Sequence, residues 1–552
     1  MEKEFDANNL DKYSTIELNR IYNTIKEKYV IFVDEYNKKY GDDLVWWSLP
    51  LSSKNIDLDD TLHNICIYEM CKEKILIDSI STLFVPNYAI KKALHRFLKQ
   101  NKQKNVKIIN KEIRKQSYIS RFVKMWFVEI NKYFRISISM KKFRYRPSVE
   151  RKTVTLINTP LISSCFRNGK YFDRYFTGIQ GYTDKNIIFL PSINKNTDIS
   201  WHMLIDWIIN NVEYRFILKE WFLNIFDYLL LWKYYFKCLK YSKKKYYFEN
   251  DDVTEIVKYS LLKGSSCTPS VRGLLDYVVI KRIKDYGYNI ENFISWYEGR
   301  PNDIIACKAF RQFYPQSQCV GYEGFAMSDN MLSLFISNEQ FLQHSCPNCI
   351  AIGSYAYKKY ATEYCDKIDV VMTPILRTDL KFHTHSKNMF RKHTTILLVL
   401  SYFYDNSKRI IEMVNAVLHD KNDIFQVFVK NHPVNFGKDV AYYTSEELCF
   451  EPHYVDGDLS ECLQDIDVAI TSKSTAVVEI MCQGVFLIEV FNLNEINITV
   501  APVSEFENMY ACVYDEFDLE AILEKKKYMD TSTHEEFSYV DRTKDNVMKL
   551  WR

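Results

Sequence analysis

Two short stretches carry residues that could do chemistry together. In "IFQVFVKNHPVN" (424–435) a buried-strand pattern ends on Lys430, Asn431, His432 and Pro433. Proline cannot extend a ladder, so the chain leaves the sheet there and His432 is displayed at the strand's C-terminal end. Open α/β sheets bind their ligands at that end. In "DIDVAITSKSTAVVEIMCQG" (465–484) a buried strand from Asp467 to Ile470 runs into Ser472, Ser474 and Thr475, which cap a helix that Gly484 closes. A phosphate placed there would meet backbone N–H groups, the positive end of a helix and two hydroxyls, with Glu479 one turn inside and in reach of ribose hydroxyls. Plain N-capping explains the hydroxyls equally well, and a histidine satisfied by backbone carbonyls explains His432. Taken together, the two strand ends can converge on one pyrophosphate or nucleotide monophosphate.

The elements that must position these residues alternate. One series holds "KILIDSIST", a helical "YAIKKALHRFLKQ", "NVKIIN", "KTVTLINTPLI" and "KNIIFLPSI". A second runs from "SQCVGYEGF" through "CIAIGS", "IDVVMTP", "TTILLVLS", a helix "SKRIIEMVNAVLHD", the two stretches above and "VFLIEVF". Apolar strands separated by crossover helices predict parallel sheets covered on both faces. The expected fold is α/β, two Rossmann-like domains facing across a cleft. The expected division is an N-terminal domain over 1–290, an interdomain region over 291–375 and a C-terminal nucleotide-binding domain over 376–552. At 552 residues and 47% hydrophobic content there is ample material for such cores, and 40 Tyr and 35 Phe against 14 Gly and 13 Pro exclude disorder and Gly-rich repeats.

Charge is unevenly distributed. The whole chain has a net charge of +3, yet residues 91–152 hold 20 Lys and Arg against 3 Glu. Their aromatic interleaving, "KMWFVEINKYFRISISMKKFRYR", suits an anionic glycan, a lipid-linked acceptor or an anionic membrane surface. No helix-turn-helix, zinc-finger or RNP pattern supports nucleic acid. A solvated helical face is the plainer reading. The aromatic stretch 220–248 is too short and too charged to span a bilayer and reads as a buried interdomain helix, or else one lying on a membrane. The N-terminal "MEKEFDANNLDKY" has no apolar core, so a cytoplasmic protein is expected, working at the inner face of the plasma membrane. The 14 cysteines lack framework spacing and suit reduced, buried thiols. His344, Cys346, Cys349 and Cys365 read as loop residues more readily than as a zinc site, and Asp465 and Asp467 as strand-boundary residues more readily than as a metal pair. No metal is expected.

The motifs resemble a family. "KNHPVN" followed by "ITSKSTAVVE" is similar to the C-terminal nucleotide-binding domain of bacterial GT-B glycosyltransferases that assemble capsule and lipopolysaccharide, specifically those using CMP-activated Kdo and sialic acid. "NGKYFDRYF" (168–176) and "ISWYEGRPNDIIACKAFRQFYPQSQCVGYEGF" (294–325) resemble surface-carbohydrate biosynthesis proteins of that superfamily. The resemblance spans roughly 155–520. It implies an inverting, metal-independent transferase with no cofactor beyond its nucleotide-sugar donor, a CMP-sugar. It further implies Glu298 as general base, followed by Asp303 and Glu323, with His432 donating to the leaving phosphate. A carboxylate at a helix start is the plainer reading of Glu298. Where the family pattern has Glu-Asn-Gln, this chain has Glu298-Gly299-Arg300. Two other readings stay open: transfer of a polyol phosphate from a CDP-polyol, and a non-catalytic glycan-binding or assembly protein.

Overall fold

The computed structural model describes the chain apart from residues 1–2, 79, 103–105, 111–116, 148–152, 168, 196–198, 326–327, 329, 356, 379–392, 420, 422, 436–437, 445–446, 502–506, 526–538 and 552. Parts of the basic run, and Asn168 of "NGKYFDRYF", therefore lie outside the described residues.

Three parallel sheets organise the molecule. Strands Glu4–Asp6 (β1), Thr82–Val85 (β2) and Lys107–Asn110 (β3) form a small one in that order. Strands Val154–Ile162 (β4), Ile187–Asn194 (β5), Ile290–Trp296 (β6), Gln318–Glu323 (β7), Cys349–Ile352 (β8) and Asp369–Met372 (β9) form a six-stranded sheet in the order β9-β8-β7-β6-β4-β5. Strands Thr394–Val399 (β10), Phe425–Lys430 (β11), Pro452–Tyr454 (β12), Val468–Thr471 (β13), Phe486–Val490 (β14) and Tyr510–Val513 (β15) form a second, in the order β12-β11-β10-β13-β14-β15. Every pairing in the two large sheets is parallel. The architecture is thus two Rossmann-like α/β units.

The apolar runs explain the layering. In the second sheet Ile396, Leu398, Val429 and Ile470 pack to one face, while Leu397, Val399, Ala469 and Leu487 pack to the other. A strand buried on both faces has to be apolar at every position, which is why "TTILLVL" does not alternate. In each large sheet the chain reverses direction of growth once, between β4 and β6 in the first and between β10 and β13 in the second. Those two reversals open crevices at C-terminal strand ends.

The helices around the first sheet and its small neighbour include Lys12–Tyr40 (α1), Tyr118–Lys142 (α2), Ile225–Tyr241 (α3) and Thr268–Asp285 (α4). Helix α1 touches both large units. Asn19 accepts from the N–H of Asn497 at 2.8 Å and donates to the Glu495 carbonyl at 3.1 Å, while Tyr22 and Lys26 donate to Asn330, each at 2.8 Å. Helices α2 and α3 run antiparallel with an aromatic seam between them: Phe122 stacks on Tyr235 at 4.8 Å, Trp126 meets Trp232 at 5.9 Å, and Tyr133 meets Tyr228 at 5.2 Å.

The structure departs from the sequence reading in four places. Residues 291–375, expected between domains, supply β6 to β9 of the first sheet. The "KILIDSIST" run is not a strand at its apolar end, because Lys74 to Ile77 finish a helix that starts at Thr61. The 376–552 region does not stay in one unit, since Val540 donates to the Gly353 carbonyl at 2.9 Å and Trp551 Nε1 to Thr155 Oγ1 at 3.0 Å, inside the first unit. The 220–248 stretch is not buried all round; α3 keeps Phe226, Leu229, Leu230 and Phe236 exposed.

Candidate active site

Glu298 stands just past β6, at the crevice of the first sheet. Trp296 Nε1 donates to its Oε1 at 2.7 Å, and Arg300 Nη2 lies 2.6 Å from its Oε2. The turn that folds Arg300 back onto Glu298 runs through Gly299 at φ +64°, where a Cβ would sit 2.0 Å from the Ser333 carbonyl oxygen. Ser333 Oγ also donates to the Glu298 carbonyl at 3.0 Å. The following helix, Pro301–Phe313 (α5), carries Asp303 in its first turn, where its side chain caps the helix start. This buried carboxylate accepts from the backbone N–H of Glu298 at 3.0 Å and of Arg300 at 3.1 Å, and from Asn302 Nδ2 at 2.6 Å. Burial, and after it the Glu298 charge, push Asp303 up to about 7. With its oxygens engaged in this way, Asp303 holds the turn and so positions Glu298. Glu323, at the end of β7, is buried with Oε2 lacking a partner among the described residues, and burial lifts it well above the carboxylate range.

Tyr175, beyond β4, packs its ring edge-on against Trp296 at 4.7 Å and brings the neighbouring Arg174 to the same crevice. Arg377 follows β9 and is exposed. The fields of Glu298, Arg174 and Arg377 all act on Tyr175.

Across the cleft, His432 sits half-buried after β11, with Tyr402 at the end of β10 packed against its ring at 5.6 Å. Burial, then the charges of Arg174 and Arg377, depress His432 to about 4. Both arginines belong to the first unit, so the two crevices share one electrostatic site. At neutral pH His432 is an uncharged imidazole; the positive charge resides on the arginines. Pro433 is exposed and opens a short turn in which Asn435 N–H donates to the His432 carbonyl at 2.7 Å. Lys430 Nζ is held by the Gly457 carbonyl at 2.6 Å.

The hydroxyl cluster divides. Ser474 Oγ accepts from the Ala476 N–H at 3.2 Å and caps helix Ala476–Cys482 (α7 once Tyr404–Leu418 is counted as α6). Thr475 occupies the N-cap position with no side-chain cap bond. Ser472 is buried and its Oγ has no hydrogen-bond partner among the described residues. Capping accounts for Ser474 alone. Glu479 is raised by burial and stabilised in its charged form by the Ser460 backbone N–H, with Arg377 and Lys430 adding positive field.

Of the sequence-predicted residues, Glu298, Lys430, His432, Pro433, Ser472, Ser474 and Thr475 end or follow strands, whereas Asp303 and Glu479 lie in the first turns of α5 and α7. Sequence reasoning missed Arg174 and Arg377. The first lay inside the quoted "NGKYFDRYF"; the second has no local signal, being one cation in "PILRTD" whose partners are distant in the chain. Among the described residues no group of three His, Cys, Asp or Glu could hold a metal ion, and Asp467 accepts from Thr395 N–H and Oγ1, both at 2.9 Å.

A scan of protein-family models finds no match, and neither does a search of curated proteins. Among solved structures, the chain is similar to a lipopolysaccharide outer core galactosyltransferase, WaaB, at 12% identity and TM-score 0.39, covering 72% of this chain and 94% of that one. It is similar also to a putative UDP-N-acetylglucosamine 2-epimerase from Listeria monocytogenes (11%, TM-score 0.41, 72% and 94%) and to Acinetobacter baumannii MurG (9%, TM-score 0.38, 72% and 93%). The likeness is one of outline, and the functional reading rests on this chain's own residues.

The depressed His432 makes a test of phosphate contact. A bound phosphate favours the imidazolium, so its pKa rises on binding and a proton is taken up between about pH 4.5 and 6. Calorimetry of nucleoside monophosphate titrations in buffers of different ionisation enthalpy should show that uptake in the wild type and lose it in His432→Gln. Equal uptake in both proteins would place His432 away from the phosphate.

Proposed function

We propose that this chain is an inverting glycosyltransferase that moves an acidic sugar of the Kdo or sialic acid type from a CMP-sugar to a surface-glycan acceptor. One observation carries the reading. Glu298, Arg174 and Arg377 all act on Tyr175 in the first unit, and the same two arginines act on His432 of the second. A CMP-linked acidic sugar brings two anions to such a place, its phosphate and its own carboxylate, and two arginines match them. In this mechanism Glu298, oriented by Trp296 and Arg300, takes the acceptor hydroxyl's proton as the new C–O bond forms. The bond from the anomeric carbon to the phosphate oxygen breaks, and the charge growing on the departing CMP is met by the arginines and by the N–H of neutral His432. Ser472 and Glu479 line the nucleotide side.

Titration calorimetry with CMP, CDP, UDP and GDP tests it. CMP should bind most tightly, and Arg174→Gln or Arg377→Gln should each weaken it roughly 10- to 100-fold, the size of a lost charged hydrogen bond. Preference for UDP or GDP would remove the CMP donor, and preference for CDP would favour transfer of a polyol phosphate. Binding of no nucleotide would leave a glycan-binding or assembly protein.

A further inference from the structure

Helices α2 and α3 present an outer face that nothing among the described residues covers. On α2 the outward stripe reads Lys124, Phe127, Val128, Asn131, Phe134, Arg135, Ile138, Lys141 and Lys142, recurring every three or four residues. On α3 it reads Phe226, Leu229, Leu230, Lys233, Phe236 and Lys240. These are large side chains left in water: Phe226 is 72% exposed, Ile138 65%, and Phe127 and Phe236 59% each. The two stripes lie side by side, because Phe127 packs on Trp126, Trp126 on Trp232 and Trp232 on Phe236, at 5.1, 5.9 and 6.2 Å. Isolated exposed hydrophobics are ordinary; a contiguous double row is not.

The charges on this face are all of one sign. The two helices contain only two acids, Glu129 and Asp227, and both turn inward. Glu129 is paired with Arg272 at 2.9 Å, and Asp227 accepts from Arg282 Nη2 at 2.7 Å, both arginines coming from α4. With its acids neutralised underneath, the outer face offers lysines around an apolar centre and no carboxylate.

We infer that the α2–α3 face is a membrane-docking surface, lying in the interface of an anionic bilayer with Phe127, Phe134, Phe226, Leu230 and Phe236 among the acyl chains. The lysines then stand at the level of the phosphates. No helix among the described residues is long and apolar enough to cross a membrane, so attachment is by burial of one face. The inference does not depend on the nucleotide reading, since it concerns a different surface. Charge complementarity selects the bilayer over a second copy of this chain, because two copies meeting here would bring like-charged rims together.

The full chain should sediment with vesicles of phosphatidylcholine and phosphatidylglycerol, and poorly with phosphatidylcholine alone. Brominated acyl chains should quench Trp126 and Trp232, which lie in the seam beneath the exposed rows. Each lysine near an anionic surface is worth roughly a fivefold factor in partitioning, so Lys124→Glu with Lys233→Glu should lower binding more than tenfold. Phe226→Ser with Leu230→Ser should do so with no change of charge. All four positions are exposed, and circular dichroism and melting temperature check that both variants fold. The inference is overturned if both variants sediment like the wild type. It is also overturned if the lipid-free wild type forms a concentration-dependent dimer that the Phe226→Ser, Leu230→Ser protein does not, for the face would then join two copies of the chain.

Discussion

Glu298→Gln is expected to keep donor binding and lose transfer by a factor of roughly 10² to 10⁴, the usual contribution of a positioned general base. The substitution is nearly isosteric. The amide oxygen can still accept from Trp296 Nε1, so the turn and the aromatic packing beneath it survive, and only the ion pair with Arg300 and the basic oxygen are removed. The loss should therefore appear in kcat at saturating donor, with nucleotide affinity within a few-fold of wild type. Single-turnover transfer measured beside CMP calorimetry separates the two. Near-normal turnover would move the base elsewhere. Asp303 is a poor replacement because its oxygens cap the turn, and so is Glu323, whose carboxyl burial holds well above the usual carboxylate range.

Gly299→Ala is expected to destabilise the protein by about 2–4 kcal/mol, combining a left-handed backbone with direct overlap on main-chain atoms. The methyl group would meet the Ser333 carbonyl oxygen at 2.0 Å and its carbon at 2.6 Å, and no side-chain rotation relieves a backbone collision. Relief requires the turn to lift away from Ser333, which breaks the bond from Ser333 Oγ to the Glu298 carbonyl and separates Glu298 from Arg300. A lower guanidinium midpoint accompanied by lost activity in the residual folded protein is the expected pair of results. An unchanged midpoint would mean that this turn is not fixed to Ser333.

Much of the second unit was legible in the sequence, because strands buried on both faces leave long apolar runs. Pro433, which cannot extend a ladder, marks where the chain leaves β11, and the polar Ser472 marks where the apolar run of β13 stops. The first unit was harder. Ile75 and Ile77 look like strand residues, yet they end a helix, since a short apolar run does not distinguish a buried strand from a buried helix. Residues 291–375 looked like a join because β6 pairs with β4, which ends at Ile162, far earlier in the chain. The site's two arginines were invisible for a related reason: spacing reports what lies along one element, whereas Arg174 and Arg377 acquire meaning only when two sheets face each other. Composition likewise counted Glu129 against the basic run, although α4 takes it out of the exposed face.

The placement of α1 has a thermodynamic consequence. Its first turns are hydrogen-bonded to the loop after β14 and its middle to Asn330, so one rigid rod is fastened on both banks of the cleft. Any ligand that draws the banks together also changes the free energy of those fastenings. By linkage, a change that strengthens the fastenings in one cleft geometry more than in the other shifts ligand affinity by that difference. A ligand that closed the cleft would therefore load the N-terminal helix through its polar anchors, Asn19 among them.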